Sequence, residues 1–318
     1  MSLLPMRMGL LALALSMSTV AAVPRLPAGA VALEAKQADF ASATQAADAL
    51  IAAMRADQRP ELLRILGPEG RDLVYSGDRV ADRAAHLRLV QAYDAAHHLE
   101  GEAGGVATLV VGPEEWSWPI PIVRDGSHWH FDTAAGLQRI IDRRVGRNEL
   151  NVIEVCRAYV AAQREYAAMQ RAANGPREFA QRFLSTPGKH DGLYWAVPAG
   201  AAQSPLGPQV AEARAEGYSV GSGGESRTPY HGYYYRILTR QGAHAPGGAR
   251  DYVIDGHMTA GFALLAYPAK WGDSGIMSFM VNQSGIVFEK NLGPDTAKLA
   301  AQIMQFDPDL SWSTPGTP

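Results

Sequence analysis

The strongest constraint on this chain is a change in the period of its apolar residues, made twice. Ala43, Ala46, Ala47, Leu50, Ile51 and Met54 recur at i, i+3, i+4 spacing, which lays them on one face of a helix. Pro60 suits the first turn of a second helix carrying Leu62, Leu63, Ile65 and Leu66, and Gly67-Pro68 ends it. Asp82 is expected to cap a third helix, through Leu87, Leu89, Val90 and Tyr93. The period then drops to two. His98 to Val111 and Trp116 to Val123 read as strands, with Pro119 and Pro121 restricting the second to a sheet edge or a bulge. Asp125-Gly126 is a two-residue hairpin signal ahead of Ser127 to Phe131.

The same change recurs downstream. Val152, Cys156, Tyr159, Val160, Gln163, Tyr166 and Met169 stripe one face of a helix from Asn148 to about Ala172, stopped by Asn174-Gly175-Pro176. A shorter helix is expected over Glu178 to Leu184, then a mobile Gly/Ala/Pro/Ser-rich loop over 198–226. Strands follow at Tyr230 to Thr239, Asp251 to Ile254, Gly261 to Tyr267, Ile276 to Val281 and Ile286 to Lys290. Asn282-Gln-Ser-Gly285 joins the last two, and a tail helix starts at Asp295. The fold class is therefore α+β in two small domains, with the junction near Arg143 to Asn148. The first, 33–142, places helices before an antiparallel meander, an order analogous to the cone-like, nuclear-transport-factor-2-like folds. The second, 148–312, places a long helix on an antiparallel sheet.

Ahead of both lies Arg7 and then Leu10 to Met17, an apolar run closed by the small residues Val20-Ala21-Ala22. A basic start, a short apolar run and small residues make a secretory signal over 1–22, cut after about Ala22. The run is too short to cross roughly 30 Å of hydrocarbon, and no cysteine sits near the cut to take a lipid. Removing 22 of the 318 residues leaves 296, beginning with a disordered lead-in over 23–32. No later window is long and apolar enough to be a transmembrane segment, so a soluble periplasmic protein is expected. The 29 Lys+Arg against 32 Asp+Glu, a net charge of −3, argue against nucleic acid as a partner. One cysteine, Cys156, excludes an intrachain disulfide and a cysteine zinc site.

Several motifs are distinctive. Tyr230-His-Gly-Tyr-Tyr-Tyr-Arg-Ile-Leu-Thr-Arg-Gln-Gly242, Ala245-Pro-Gly-Gly-Ala249, Gly261-Phe-Ala-Leu-Leu-Ala-Tyr-Pro268 and Phe279-Met-Val-Asn-Gln283 stand in the second unit. Trp118-Pro-Ile-Pro121, Trp129-His-Phe-Asp132, Arg143-Arg-Val-Gly-Arg-Asn-Glu149 and Ala162-Gln-Arg-Glu-Tyr166 precede them. Together these resemble the bacterial family labelled domain of unknown function 2950, over most of the chain. The family implies an exported protein and brings no activity. Beyond Asn148, the helix with Ala162-Gln-Arg-Glu-Tyr166 and the strands at Gly232-Tyr-Tyr-Tyr-Arg-Ile and Ala263 to Pro268 resemble the soluble part of pilin-like and pseudopilin proteins. A whole domain stands where those proteins carry a membrane half-helix, so only their fold is implied.

The chemistry-bearing candidates are few. No His-Glu-x-x-His, Gly-x-Ser-x-Gly, phosphate-loop or dinucleotide fingerprint occurs, so no cofactor is expected and no catalytic residue is assigned. Cys156, on the apolar face of its helix, reads as a small hydrophobe rather than a nucleophile. His128 and His130 share one strand face and with His97 or His98 make part of a metal site, but without a third ligand the expectation is no metal. Asp251, Asp255 and His257 make an acid/base set only if the fold converges them, and Asp255-Gly256 is also an ordinary turn. Arg143, Arg144 and Arg147 form a basic patch expected to make salt bridges between the domains. Asn282-Gln-Ser284 is a chance glycosylation pattern.

The aromatic strand is the leading binding candidate. Tyr233 and Tyr235 share one face, Tyr234 and Arg236 the other, with Tyr230, His231, Arg250 and His257 nearby in sequence. Rings with polar tips suit a sugar, peptide or protein partner, and cross-strand packing is the bland alternative. The expectation is a non-catalytic binding or assembly module of the cell envelope, with an envelope protein or glycan as partner. The alternative is a periplasmic hydrolase or small-ligand carrier with a pocket by the tyrosine strand or in the N-terminal domain. Convergence of His231, His257 and an Asp in a deep cavity would favour that alternative.

Overall fold

Ser42 opens the first helix by accepting from the Gln45 amide at 3.1 Å through Oγ, which satisfies one of the free N–H groups of the first turn. The computed structural model describes residues 36–172, 177–198, 200–219 and 228–316. The signal segment, the lead-in, the stop at Asn174-Gly175-Pro176 and part of the 198–226 stretch lie outside those residues.

Helix α1 (Ala43–Arg55) is followed by α2 (Arg59–Leu66), with Pro60 in its first turn, and by the short α3 (Arg71–Val74). Helix α4 (Arg79–Ala95) is capped by Asp78, whose Oδ1 accepts from Val80 and Ala81 amides at 3.1 and 3.0 Å. Asp82, the expected cap, is instead buried in the first turn. Asp78 holds the extended backbone of a cap (φ −111°, ψ 94°), so the helix starts one turn earlier.

Strands β1 (His97–Glu100), β2 (Val106–Val111), β3 (Trp116–Ser117), β4 (Ile122–Asp125) and β5 (His128–Phe131) form one antiparallel sheet. Its path is β1-β2-β4-β5, with β3 also paired to β2. The stretch His98 to Val111 is therefore a hairpin rather than one strand. Gly101 and Gly105 adopt φ +83° and +77°, which turn the chain back where a side chain would be strained. Leu50, Ile51 and Ile65 of the helices bury against Leu109, Ile122 and Phe131 of this sheet.

Helix α5 runs unbroken from Thr133 to Ala172, about 60 Å at 1.5 Å per residue. It begins well before the expected Asn148. Ile141, Val145, Asn148, Val152, Cys156 and Tyr159 are all buried and continue one stripe at spacings of three and four. Polar Asn148 in the middle of that stripe, preceded by Arg143, Arg144 and Arg147 and followed by Glu149, concealed its continuity. Ile141 and Val145 pack into the first core; Val152, Cys156 and Tyr159 pack into a second.

That second core is built on the antiparallel sheet β13-β12-β11-β6, formed by β6 (Tyr233–Leu238), β11 (Ala263–Pro268), β12 (Met277–Asn282) and β13 (Val287–Asn291). Two ribbons complete it: β7 (Arg240–Gln241) with β8 (Arg250–Asp251), and β9 (Val253–Ile254) with β10 (His257–Met258). Residues 178–184 are not helical. They run irregularly, with bends at Gln181 and Phe183, bridging Met258 through Phe179 and Tyr194 through Leu184, because Phe179 and Ala180 are drawn into the core. The 198–226 stretch is likewise not one loop, since it contains α6 (Gly207–Glu216). Helix α7 (Thr296–Gln302) closes the order. Among the described residues, no helix is long and apolar enough to cross a membrane.

Candidate functional site

Residues of α2, α3, α4 and α5 line a cleft of about 550 Å³, within the range of small-molecule sites. Its floor is apolar, with Leu62, Leu66, Leu73, Val74 and Leu89 contributed by α2, α3 and α4. Trp116 and Trp118 line one wall, and Tyr218 and His231, from the second half of the chain, line another.

Two buried polar atoms at this cleft are unpartnered. His86 is 7% exposed and its Nδ1 has no hydrogen-bond partner among the described residues. Trp118, 9% exposed, has none for its Nε1 donor. Leaving a buried polar group unsatisfied costs about 1–3 kcal/mol, which makes such atoms good indicators of a ligand's place. Burial pushes the His86 imidazole down to about 4, so it is neutral at physiological pH.

The charges at the cleft are unevenly matched. Arg144 spans the two halves, donating to the Asp72 carbonyl at 2.8 Å and to the Asp273 carboxylate. This is the salt bridge between the halves expected of the basic patch. Asp82 faces Arg59 at 3.6 Å, and Glu216 faces His231 at 3.6 Å. Burial raises the Asp82 carboxyl above its ordinary value and lowers the His231 imidazole below its own. Arg88, Arg143 and Arg147 line the cleft with no carboxylate partner among the described residues; Arg143 lies over the Trp116 ring at 5.4 Å. Burial, together with the like charges of Arg88 and Arg144, depresses the Arg147 guanidinium.

The wall that carries His231 is held by backbone geometry. Tyr230 to Tyr233 is a tight turn with Tyr230 N–H donating to the Tyr233 carbonyl at 2.9 Å, and His231 and Gly232 both have positive φ, +50° and +77°. A Cβ on Gly232 would sit 2.6 Å from Asn148 Nδ2, so glycine is required there for space as well as for φ.

The structure does not bring the sequence-derived site residues together. His231 lines the cleft, and Tyr230 stacks edge-on to Tyr218 at 4.9 Å. Tyr233 is wholly buried in the sheet, its hydroxyl donating to the Met277 carbonyl at 2.9 Å. Tyr235 is half-buried and donates to the Tyr230 carbonyl at 3.4 Å. Arg236 donates to the Ala300 and Ile303 carbonyls, the latter at 2.6 Å, and so closes the C-terminal end of α7. Arg250 is exposed on β8. His257 is exposed and pairs with Glu178 at 3.0 Å, away from this cleft. The acid/base set does not form, since Asp251, Asp255 and His257 all face solvent and Asp255-Gly256 is the turn of the β9–β10 hairpin.

His128 is exposed and contacts Ser127 Oγ at 3.2 Å, His97 stacks on Tyr93, and His98 faces Glu100. Among the described residues no group of three or more His, Cys, Asp or Glu side chains is placed to hold a metal. Cys156 is fully buried, with its thiol pushed up to about 12 by burial. The Asn282 side chain accepts from Ser284 N and Oγ at 3.0 and 2.6 Å, so Asn282-Gln-Ser284 is a turn.

His86 and Trp118 were missed in the sequence. His86 stands at i, i+3, i+4, i+7 with Leu89, Val90 and Tyr93, a histidine on an apolar helix face. That was the available signal. The family model described as "Protein of unknown function (DUF2950)" matches residues 37–314. No curated protein and no solved structure matches the chain.

Proposed function

The chain belongs to the DUF2950 family, whose description carries no activity, and from that premise we propose that it is an exported, non-catalytic binding module of the bacterial cell envelope whose cleft receives a small ligand. The observation that carries binding is the cleft beside α4, with an apolar floor and two buried, unpartnered polar atoms, His86 Nδ1 and Trp118 Nε1. Binding is favoured over hydrolysis because His86, held down to about 4, is a weak base, and its Nδ1 meets no carboxylate among the described residues to orient the ring and stabilise the imidazolium a general base becomes. Export rests on residues 1–22, with their basic start, apolar run and small-residue end.

The test is expression with the native N-terminus in a Gram-negative host, followed by fractionation and native mass spectrometry. The expected result is a periplasmic chain beginning near Val23 that carries a non-covalent adduct. An Ala85→Trp variant, which fills the cleft from α4, should be recovered bare. A full-length chain retained in the cytoplasm would refute export, and bare protein in both preparations would refute binding.

A further inference from the structure

Resting on the binding reading above, we infer that the ligand is an amphipathic organic anion, an apolar body carrying one carboxylate or phosphate head, with Arg88, Arg143 and Arg147 taking the head and the α2–α4 floor taking the body. The charge balance at the cleft points to an anion. Of its two carboxylates, Asp82 faces a cation, Arg59, and Glu216 lies against the His231 ring, while Arg144 is occupied by Asp273. Three guanidiniums remain at the rim without a carboxylate. Guanidinium forks match carboxylate and phosphate oxygens two at a time, which gives an anionic head both charge and direction.

The buried groups supply a second, independent indication. Trp118 Nε1 is a donor with nothing to donate to, and His86, being neutral, offers one N–H as well as one acceptor. Donors therefore predominate among the unmatched groups of this cleft, and an anion is the ligand that satisfies donors. The floor argues against a free inorganic ion. Leu62, Leu66, Leu73, Val74 and Leu89 offer nothing to an ion but suit a hydrocarbon, and about 550 Å³ exceeds what phosphate alone would fill.

The test is isothermal titration of the full mature protein with decanoate, decyl phosphate, 1-decanol and inorganic phosphate, alongside intrinsic tryptophan fluorescence, to which Trp116 and Trp118 contribute two of six emitters. Decanoate or decyl phosphate should bind and change the fluorescence, and the tighter of the two identifies the head. R147Q and R143Q should each weaken that binding about tenfold, the scale of one charge-assisted hydrogen bond, and leave 1-decanol within twofold. R88Q, at an exposed position with no hydrogen bond, keeps the test informative if either of the others fails to fold. If 1-decanol binds as tightly as decanoate and the arginine variants change nothing, the anion assignment falls while the binding reading stands. If inorganic phosphate binds as tightly as decyl phosphate, the amphipathic assignment falls. Absence of binding by all four probes overturns this inference, and the binding reading falls with it only if the recovered protein also carries no adduct.

Discussion

Tyr218 donates its hydroxyl to Asp78 Oδ2 at 2.8 Å, joining two residues 140 apart in sequence. The same oxygen accepts from the Gly232 amide at 2.8 Å, while Oδ1 caps α4. One buried carboxylate thus sets the start of the helix that carries His86 and anchors the turn that carries His231. Burial and the Asp78 charge both hold the Tyr218 phenol protonated.

Asp78→Ala should therefore be more damaging than a lost cap. It removes a cap of about 1 kcal/mol and strands two more buried donors at about 1–3 kcal/mol each, for a loss on the order of 3–7 kcal/mol. Tyr218→Phe removes the charge-assisted bond to Asp78 and the bond its hydroxyl accepts from the His231 amide at 3.2 Å, and should cost about 2–4 kcal/mol. Urea unfolding of the two variants decides the matter. Equal losses would mean that Asp78 serves only one of its partners.

Arg144 and Asp273 join the two cores across 129 residues of sequence, and both are largely buried. Removing Asp273 leaves the Arg144 charge buried and uncompensated, so Asp273→Ala should lower stability by about 3–5 kcal/mol, and Arg144→Met should cost less because Lys270 Nζ still faces Asp273 at 3.2 Å. The double variant should lose clearly less than the sum. A thermodynamic cycle by chemical denaturation measures the coupling, and strict additivity would show that the pair is not energetically linked.

His86 gives the acid limb of stability a definite sign. Its folded value is about 4 and its unfolded value is the ordinary 6.5, so below pH 6.5 the unfolded chain takes up a proton that the folded chain refuses. The stabilisation is complete above about pH 6.5, is lost progressively as pH falls to about 4, and amounts to roughly 3 kcal/mol over that window. Asp82 works the other way, because its raised carboxyl value makes the folded state the better proton acceptor as pH falls. The difference between wild type and His86→Leu isolates the histidine. The stability of wild type minus that of His86→Leu should fall by roughly 3 kcal/mol from pH 7 to pH 4, and a constant offset would contradict the assignment.

Cys156 should be silent to thiol reagents. With its side chain sealed in the second core and its thiol pushed up to about 12, almost no thiolate exists at pH 8 and none is accessible. Ellman's reagent is expected to leave the folded protein unlabelled and to titrate its single thiol in 6 M urea. Rapid labelling without denaturant would place the thiol at a reactive surface instead.

Two of the family's motifs turn out to hold the scaffold. Gln163, fully buried, donates to the Ala180 carbonyl at 2.8 Å and accepts from the Ala180 amide at 2.8 Å, so its side chain pairs with the backbone as a neighbouring strand would. Gln241 donates to the Pro246 and Gly248 carbonyls at 2.9 and 2.7 Å and accepts from the Tyr252 hydroxyl at 2.9 Å. The distinctive spelling of Ala245-Pro-Gly-Gly-Ala249 is explained by that clasp. Motif strength therefore marked packing, and the unpartnered cleft atoms lie on residues that no motif singled out, apart from Trp118 at the head of Trp118-Pro-Ile-Pro121.

Local chemistry was legible wherever the determining atoms lie within a few residues of one another. The stripe of α1, the proline opening α2, the Asp125-Gly126 turn and the Asn282 to Gly285 turn were all readable on that ground. The cap of α4 and the start of α5 were misplaced because Asp82 and Asn148 are polar residues whose burial is decided elsewhere: Asp82 by Arg59, Asn148 by the Ser274 carbonyl that its side chain meets at 2.9 Å. By itself, the sequence determined the α+β class, the family and the positions of most helices and strands. The tertiary structure alone decided which arginine of the 143–147 patch is neutralised, which tyrosines are buried and that His86 faces a cleft. Those outcomes depend on partners from tens to more than a hundred residues away, and the energy of a buried charge or hydrogen bond depends on those partners rather than on neighbours in the chain.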